Sequence, residues 1–280
     1  MSRSTEDELQ ATIADMVVPC KGILAADESA PTIAKRFAAV GASSTVELQR
    51  AYRSLLFTTP GIEQFISGAI LIEDTLGQMT NDDIPLTEVL VRNGIVPGVK
   101  VDKGKIPLAN AVGDEITQGL NGLSERLCMY KAQGARFAKW REVYSINEQN
   151  PTILGMEANA EMLARYAAVC QEEGFVPIVE PEVLIDGNHT LERCVEVAEA
   201  VMHAVFQELY RHRVIIEYTL LKPSMVMPGK EHPFKVSSEQ VAKATIKVLR
   251  RTVPAAVPCV STKHKFPVRK SVTRRCYGQP

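Results

Sequence analysis

The feature that most constrains this chain is an alternation. Short apolar runs, several rich in β-branched residues, are separated by longer stretches with helical periodicity. The runs fall at 22–26, 67–72, 98–102, 136–140, 176–180, 214–222 and 255–260, and they read as buried parallel strands. Between them, 45–57 sets Leu48, Tyr52, Leu55 and Leu56 on one side of a helix. The stretch 158–172 does the same with Met162, Leu163, Tyr166, Val169 and Cys170. A third helix is expected over 191–209. A fourth, over 237–252, opens with Ser237 and Gln240 in capping-box spacing and continues with Val241, Ala244, Val248 and Leu249.

Strand–helix alternation predicts a parallel α/β sheet. A closed (β/α)8 barrel takes about 250 residues or more. Here six strands and the start of a seventh fit before the pattern stops. The expected fold is therefore α/β, a TIM (β/α)8-type barrel that is incomplete, with strand eight and the end of strand seven missing. Residues 1–260 form that unit, and no linker marks a second domain. Residues 261–280 read differently. They hold six of the 32 lysines and arginines and none of the 33 acids, so residues 1–260 carry a formal charge of −7. This basic tail is expected to be disordered.

Composition excludes several functions. A mildly acidic body offers no nucleic-acid surface. No apolar run approaches the roughly 18–20 residues of a membrane helix, and the acid-bearing N-terminus does not read as a signal peptide. None of the six cysteines has C-x-x-C spacing, so a zinc cage or redox pair is not expected and the thiols read as reduced. The five histidines are scattered and read as surface or helix residues.

Catalytic groups of such barrels sit at the C-terminal ends of strands. The first strand ends in Asp27-Glu28-Ser29 and the third carries Lys100, Asp102 and Lys103. The fourth holds Lys139 and Arg141, the fifth ends in Glu180-Pro-Glu182, and the sixth ends in Lys222-Pro223. A lysine in an apolar strand is unfavourable unless it is paired or at the strand end. Lysines gathered with carboxylates at one mouth would make a Schiff-base site. A lysine desolvated beside another cation has a lowered pKa and can attack a carbonyl. Carboxylates would then move the protons needed to dehydrate the adduct, and basic groups around the rim suit phosphates.

These segments resemble the class I fructose-1,6-bisphosphate aldolases. The resemblance is carried by KGILAADES (21–29), GVKVDKG (98–104), GLNGLSER (119–126), RFAKWR (136–141), VPIVEPE (176–182), TLLKPSM (219–225) and RRTVP (250–254), in family order and spacing. It implies reversible Schiff-base cleavage of fructose 1,6-bisphosphate to dihydroxyacetone phosphate and glyceraldehyde 3-phosphate in glycolysis and gluconeogenesis. It implies Lys222 as the Schiff-base lysine and Glu180 as the acid and base of iminium formation. Asp27 would handle the C4 hydroxyl proton, Lys139 would be the second active-site lysine, and Glu182 would lie in the same charged network. Ser29, Thr32, Lys35, Arg36, Lys100 and Arg141 match substrate-binding positions. No metal or other cofactor is implied beyond the covalent Schiff base. The expected partner is a phosphorylated sugar, with neither nucleic acid nor membrane. A homo-oligomer is expected, as the family is usually tetrameric, in the cytoplasm.

The chain also departs from the family. After residue 260 neither the seventh strand's phosphate loop nor the eighth strand follows, which reads as an altered C-terminus that leaves the first and seventh strands as open edges and the interior exposed. Tyr218 stands where glycine is usual, within the sixth strand, and would crowd the site if it pointed inward. Cys20 also replaces a glycine and reads as a small buried residue. The alternative function is a catalytically impaired aldolase-derived chain that acts only by binding full-length subunits.

Overall fold

In the computed structural model, residues 2–262 are described, together with the backbone of Arg274–Arg275. Seven parallel strands form one curled sheet: β1 (Gly22–Ala26), β2 (Ile66–Ile72), β3 (Val96–Lys100), β4 (Phe137–Tyr144), β5 (Val176–Val183), β6 (Leu220–Leu221) and β7 (Cys259–Ser261), in that spatial order. The expected alternation is present, and the sheet is that of an incomplete (β/α)8 barrel. Helices cover its outer side, except α1 (Arg3–Met16), which packs on inward-facing strand residues at the sheet's N-terminal end. α1, α2 (Ala30–Ala38), α3 (Val46–Phe57), α4 (Glu73–Leu76) and α5 (Leu86–Arg92) lie in the first third of the chain. α6 (Leu123–Ala132), α7 (Ile153–Glu172), α8 (Leu191–Arg211) and α9 (Ser238–Thr252) follow. A small antiparallel hairpin, Lys105–Pro107 with Glu115–Thr117, extends from the end of β3.

The helices form where the sequence caps them. Thr45, Thr152, Thr190 and Ser237 each accept a first-turn backbone N–H with a side-chain oxygen, satisfying donors that have no helical partner. The Ser237–Gln240 capping box is complete. α8 then buries Cys194, Val197, Ala198, Val201, Met202, Val205 and Leu209 along one stripe.

The interior is packed at its N-terminal end. Leu9 and Met16 of α1 meet Ile70, Val96, Phe137, Val176, Ile178, Leu220 and Cys259 from six strands in one buried cluster. α1 is held there by Ser67, whose hydroxyl donates to the Met16 carbonyl at 2.6 Å. Phe137 fills the space above Gly98, where a Cβ would lie only 2.3 Å from its ring.

Several expectations are corrected. The stretch 214–222 is not one strand: Ile216–Tyr218 is a 3-10 turn, and the residues paired in the sheet are Leu220–Leu221. Tyr218 therefore points away from the strand ends, and its hydroxyl donates to Glu6 of α1 at 3.3 Å. Cys20 is exposed, with φ +64°. This left-handed backbone, which L side chains resist, explains why glycine suits that position better than burial does. On α3 the buried side chains are Arg53 and Phe57, while Leu55 is exposed. His189 is buried, not on the surface. At its N-terminal end, the interior expected to open to water is buried under α1 in the cluster just described. Of the two edges, β1 pairs only with β2 among the described residues, whereas β7 pairs antiparallel with Arg274–Arg275. The remainder of the expected tail, 263–273 and 276–280, lies outside the described residues.

Candidate active site

The parallel register builds the site. Lys100 of β3 lies beside Lys139 of β4. Arg141 lies beside Glu180 of β5, and Val143 beside Glu182. Leu221 of β6 pairs with Val179, so Lys222 emerges next to Glu180, with its N–H bonded to the Val179 carbonyl at 2.8 Å. Side chains two apart on a strand share a face. The charged groups thus line the inner face at one end of the sheet, above the apolar cluster.

The centre is Glu180, which is 3% exposed. One carboxylate oxygen contacts Lys222 Nζ, and the other contacts Lys139 Nζ at 2.6 Å. Lys139 Nζ also reaches Asp27, just past the end of β1, at 2.8 Å. Lys139, Glu182 and Lys222 are all buried, and Asp27 is half-buried. Beside this group, Arg141 pairs with Glu182 at 2.9 Å and Lys100 with Asp102 at 2.5 Å.

Two buried lysines around one carboxylate divide the proton unequally. Burial lowers the pKa of both. For Lys139 the charges of Glu180 and Asp27 outweigh burial and hold it above the ordinary lysine range. Lys222 has one close carboxylate and the like charge of Lys139 nearby, so burial prevails and its pKa is lowered. Burial would raise Asp27, but Lys139, then Lys222 and Lys100, hold it below the usual carboxylate range. The site therefore presents an ammonium favoured by two carboxylates, an aspartate favoured as its anion, and a second lysine whose charged form burial and Lys139 disfavour.

The other predicted residues lie further out. Ser29 occupies the N-cap position of α2 without a side-chain cap bond, and its hydroxyl is 3.0 Å from that of Thr32. Thr32, Lys35 and Arg36 are exposed on α2, with Arg36 turned back onto Glu28. The structure brings Ser29 and Thr32 together beside the Asp27 loop. It shows no contact between Lys35 or Arg36 and the central cluster.

Two charged residues escaped the sequence reading. Arg53 is buried on α3, and its Nη2 donates to the Glu28 carbonyl at 3.1 Å, supporting the Asp27 loop. Glu142 is fully buried on the outer face of β4. In the sequence, Glu142 follows Arg141 in an alternating strand, and that parity could have placed it opposite the site. Among the described residues, no group of three or more His, Cys, Asp or Glu is arranged to hold a metal ion.

A parallel barrel with a desolvated, carboxylate-paired lysine at one mouth defines a class of proteins: lyases that hold a carbonyl substrate covalently on lysine. The family model described as fructose-bisphosphate aldolase class-I matches residues 8–262. A probable fructose-bisphosphate aldolase class 1 from Xanthomonas axonopodis pv. citri is 51% identical over 252 residues, covering 90% of this chain and 75% of that protein. The cytosolic fructose-bisphosphate aldolase 7 of Arabidopsis thaliana is 50% identical over 253 residues, covering 90% and 70%. A solved structure of fructose-bisphosphate aldolase from Plasmodium falciparum, in complex with TRAP and a small-molecule inhibitor, superposes with a TM-score of 0.91. It is 45% identical, and the match covers 94% of this chain and 76% of that one. The chain belongs to the class I fructose-bisphosphate aldolase family. Members of this class are carbon–carbon lyases that work through a lysine Schiff base and need no cofactor.

Proposed function

We propose that Lys222 is the Schiff-base lysine of a reversible retro-aldol cleavage of fructose 1,6-bisphosphate. The observation that carries this reading is the buried arrangement of the two lysines: Lys139 contacts both Asp27 and Glu180, whereas Lys222 contacts Glu180 beside the charge of Lys139, which disfavours its ammonium form. Neutral Lys222 Nζ attacks the ketose C2 carbonyl. Glu180, in contact with Lys222, takes the proton that Lys222 sheds and then gives it to the departing hydroxyl, releasing water and leaving an iminium. Asp27 takes the C4 hydroxyl proton as the C3–C4 bond breaks, and its electrons flow into the iminium to give an enamine. Glyceraldehyde 3-phosphate leaves. Protonation of the enamine and hydrolysis return dihydroxyacetone phosphate and free Lys222.

Lys139 remains an ammonium that stabilises Asp27 and Glu180 as anions. Arg141, held by Glu182, Lys100, held by Asp102, and the Ser29–Thr32 pair bind the phosphorylated sugar with Lys35 and Arg36. The test is borohydride reduction in the presence of dihydroxyacetone phosphate, read by peptide mass spectrometry. A reduced adduct on the Lys222 peptide is expected. An adduct on Lys139, or none, would overturn the assignment.

Residues 1–260 make up the barrel unit in this reading, with 261–280 a basic appendage. The cytosolic Arabidopsis relatives support a cytosolic location, and no helix among the described residues is long and apolar enough to cross a membrane. A homo-oligomer is supported by the apolar side chains around the hairpin and the start of α7, where Val112, Ile153 and Leu154 are 87%, 71% and 46% exposed. The Asn150 amide bonded to the Val112 carbonyl at 3.0 Å holds these two segments together. Apolar exposure concentrated in this way marks an interaction surface. Sedimentation velocity of the wild type and of Val112→Asp/Ile153→Asp tests it: the variant should sediment as a smaller species, and an unchanged coefficient would refute the surface.

A further inference from the structure

Glu142 occupies a place the proposed chemistry does not use. Strand alternation puts Lys139 and Arg141 on the inner face of β4 and Trp140, Glu142 and Tyr144 on the outer one. The Glu142 carboxylate is fully buried and accepts two hydrogen bonds. Trp140 Nε1 donates to Oε1 at 2.7 Å, and the Thr117 backbone N–H donates to Oε2 at 3.1 Å. The Thr117 hydroxyl in turn donates to the Arg141 carbonyl at 2.8 Å. One threonine at the base of the hairpin therefore joins the buried carboxylate to the residue whose guanidinium reaches Glu182.

We propose that Glu142 is a positioning residue: ionised, it anchors the hairpin through Thr117 onto the Arg141 carbonyl, and so couples its own proton to binding of the phosphorylated substrate on the opposite face of β4.

The surroundings suit such a coupling. From the segment just past β3 the facing charge is Asp102, itself paired with Lys100. From the hairpin, Glu115 is paired with Lys105, and Asp114 accepts from Thr152 at 2.6 Å. From α7 come Asn159, whose amide donates to the Glu115 carbonyl at 3.0 Å, and Tyr166. On β4 itself, the phenol of Tyr144 is buried and is pushed up by burial and by the Glu142 charge. Burial raises the Glu142 carboxyl to about 7 and Asp102 adds to the rise, while the bonds from Trp140 and Thr117 oppose it. A carboxylate that titrates near neutrality can act as a switch where an ordinary one cannot. Binding couplings are reciprocal. If the ionised form supports Arg141, substrate binding must favour ionisation.

Trp140 is the single tryptophan of the chain, and it donates directly to Glu142, so its fluorescence reads the ionisation without any need for turnover. The full chain is titrated from about pH 5.5 to 9, with and without saturating dihydroxyacetone phosphate. A transition near pH 7 is expected in the wild type and should be absent in Glu142→Gln. The ligand is expected to move the midpoint down by about half a unit, equivalent to an affinity about threefold weaker below the transition than above it. Thr117→Val keeps the N–H bond to Glu142 and removes the hydroxyl, which bonds the Arg141 carbonyl and also favours the ionised Glu142. It should retain the transition, at a higher pH, and lose the ligand shift. No transition, one that persists in Glu142→Gln, or a midpoint that stays or rises with ligand would overturn the proposal. The phosphate's charge acting through the strand alone would raise the midpoint. If Glu142→Gln does not fold, the wild-type shift and Thr117→Val decide. The choice of ligand rests on the function proposed above. Failure to trap any imine would sink that reading, and the midpoint and its loss in Glu142→Gln would still report on Glu142 separately.

Discussion

Replacing Lys139 by methionine tests the charge arrangement most directly. Lys139 and Lys222 contact the two oxygens of one carboxylate, which sets their nitrogens about 5–6 Å apart. At an effective dielectric of about 20, two unit charges at that distance repel by about 3 kcal/mol. Removing the Lys139 charge therefore favours protonated Lys222. Glu180, freed from one partner, pulls in the same direction. At pH 7 the rate of borohydride trapping with dihydroxyacetone phosphate should fall by up to about a hundredfold. The deficit should shrink as pH rises and Lys222 loses its proton in both proteins. Removing one member of a buried ion pair also costs stability, about 3–5 kcal/mol, so thermal unfolding is measured in parallel. Lys139→Arg keeps the charge and should keep most of the rate. Equal pH–rate profiles for folded Lys139→Met and the wild type would refute the electrostatic account of Lys222.

Other perturbations probe the scaffold. Gly98→Ala should destabilise by about 1–3 kcal/mol, because its Cβ would overlap the Phe137 ring. In a Phe137→Ala background, which itself costs about 3–5 kcal/mol, the same change should be nearly neutral, and additive urea midpoints would contradict the clash. Cys20→Gly should raise stability by up to about 1 kcal/mol by relieving the φ +64° backbone; an unchanged melting temperature would show that no strain is stored there. Incubation with EDTA should leave imine trapping unchanged, since the class works without a metal, and loss of trapping restored by a divalent cation would contradict this.

The architecture was legible because buried parallel strands are written as local apolar runs. The run at 22–26 coincides with β1, and the Ser237 capping box starts α9 where the spacing placed it. The sixth strand was misjudged because an apolar run does not distinguish an extended segment from a 3-10 turn; Glu217 and Tyr218 occupy the turn instead. α3 was misread for a tertiary reason. Arg53 is drawn inside by the Glu28 carbonyl and nearby carboxylates, and helical periodicity carries no information about partners in another loop. At the site, strand-end position gathered Asp27, Lys139, Glu180 and Lys222 correctly in space. The difference between the two lysines was not legible, because it depends on which carboxylates each one touches. Glu142 was missed because its significance lies in its burial behind β4, and only the hairpin that covers it makes that burial complete.

α1 seals the end of the barrel opposite the site, and its partners are distant in sequence. Glu8 contacts Lys131, Asp15 contacts Arg136, and Glu6 meets Tyr218, 212 residues away. Contacts of such separation repay the entropy of closing the chain only after the intervening segments have ordered. α1 precedes all of these partners in the chain, and the cluster that buries Leu9 and Met16 is complete only when Leu220 and Cys259 have joined it. For this chain, the order of synthesis and the order of burial run in opposite directions.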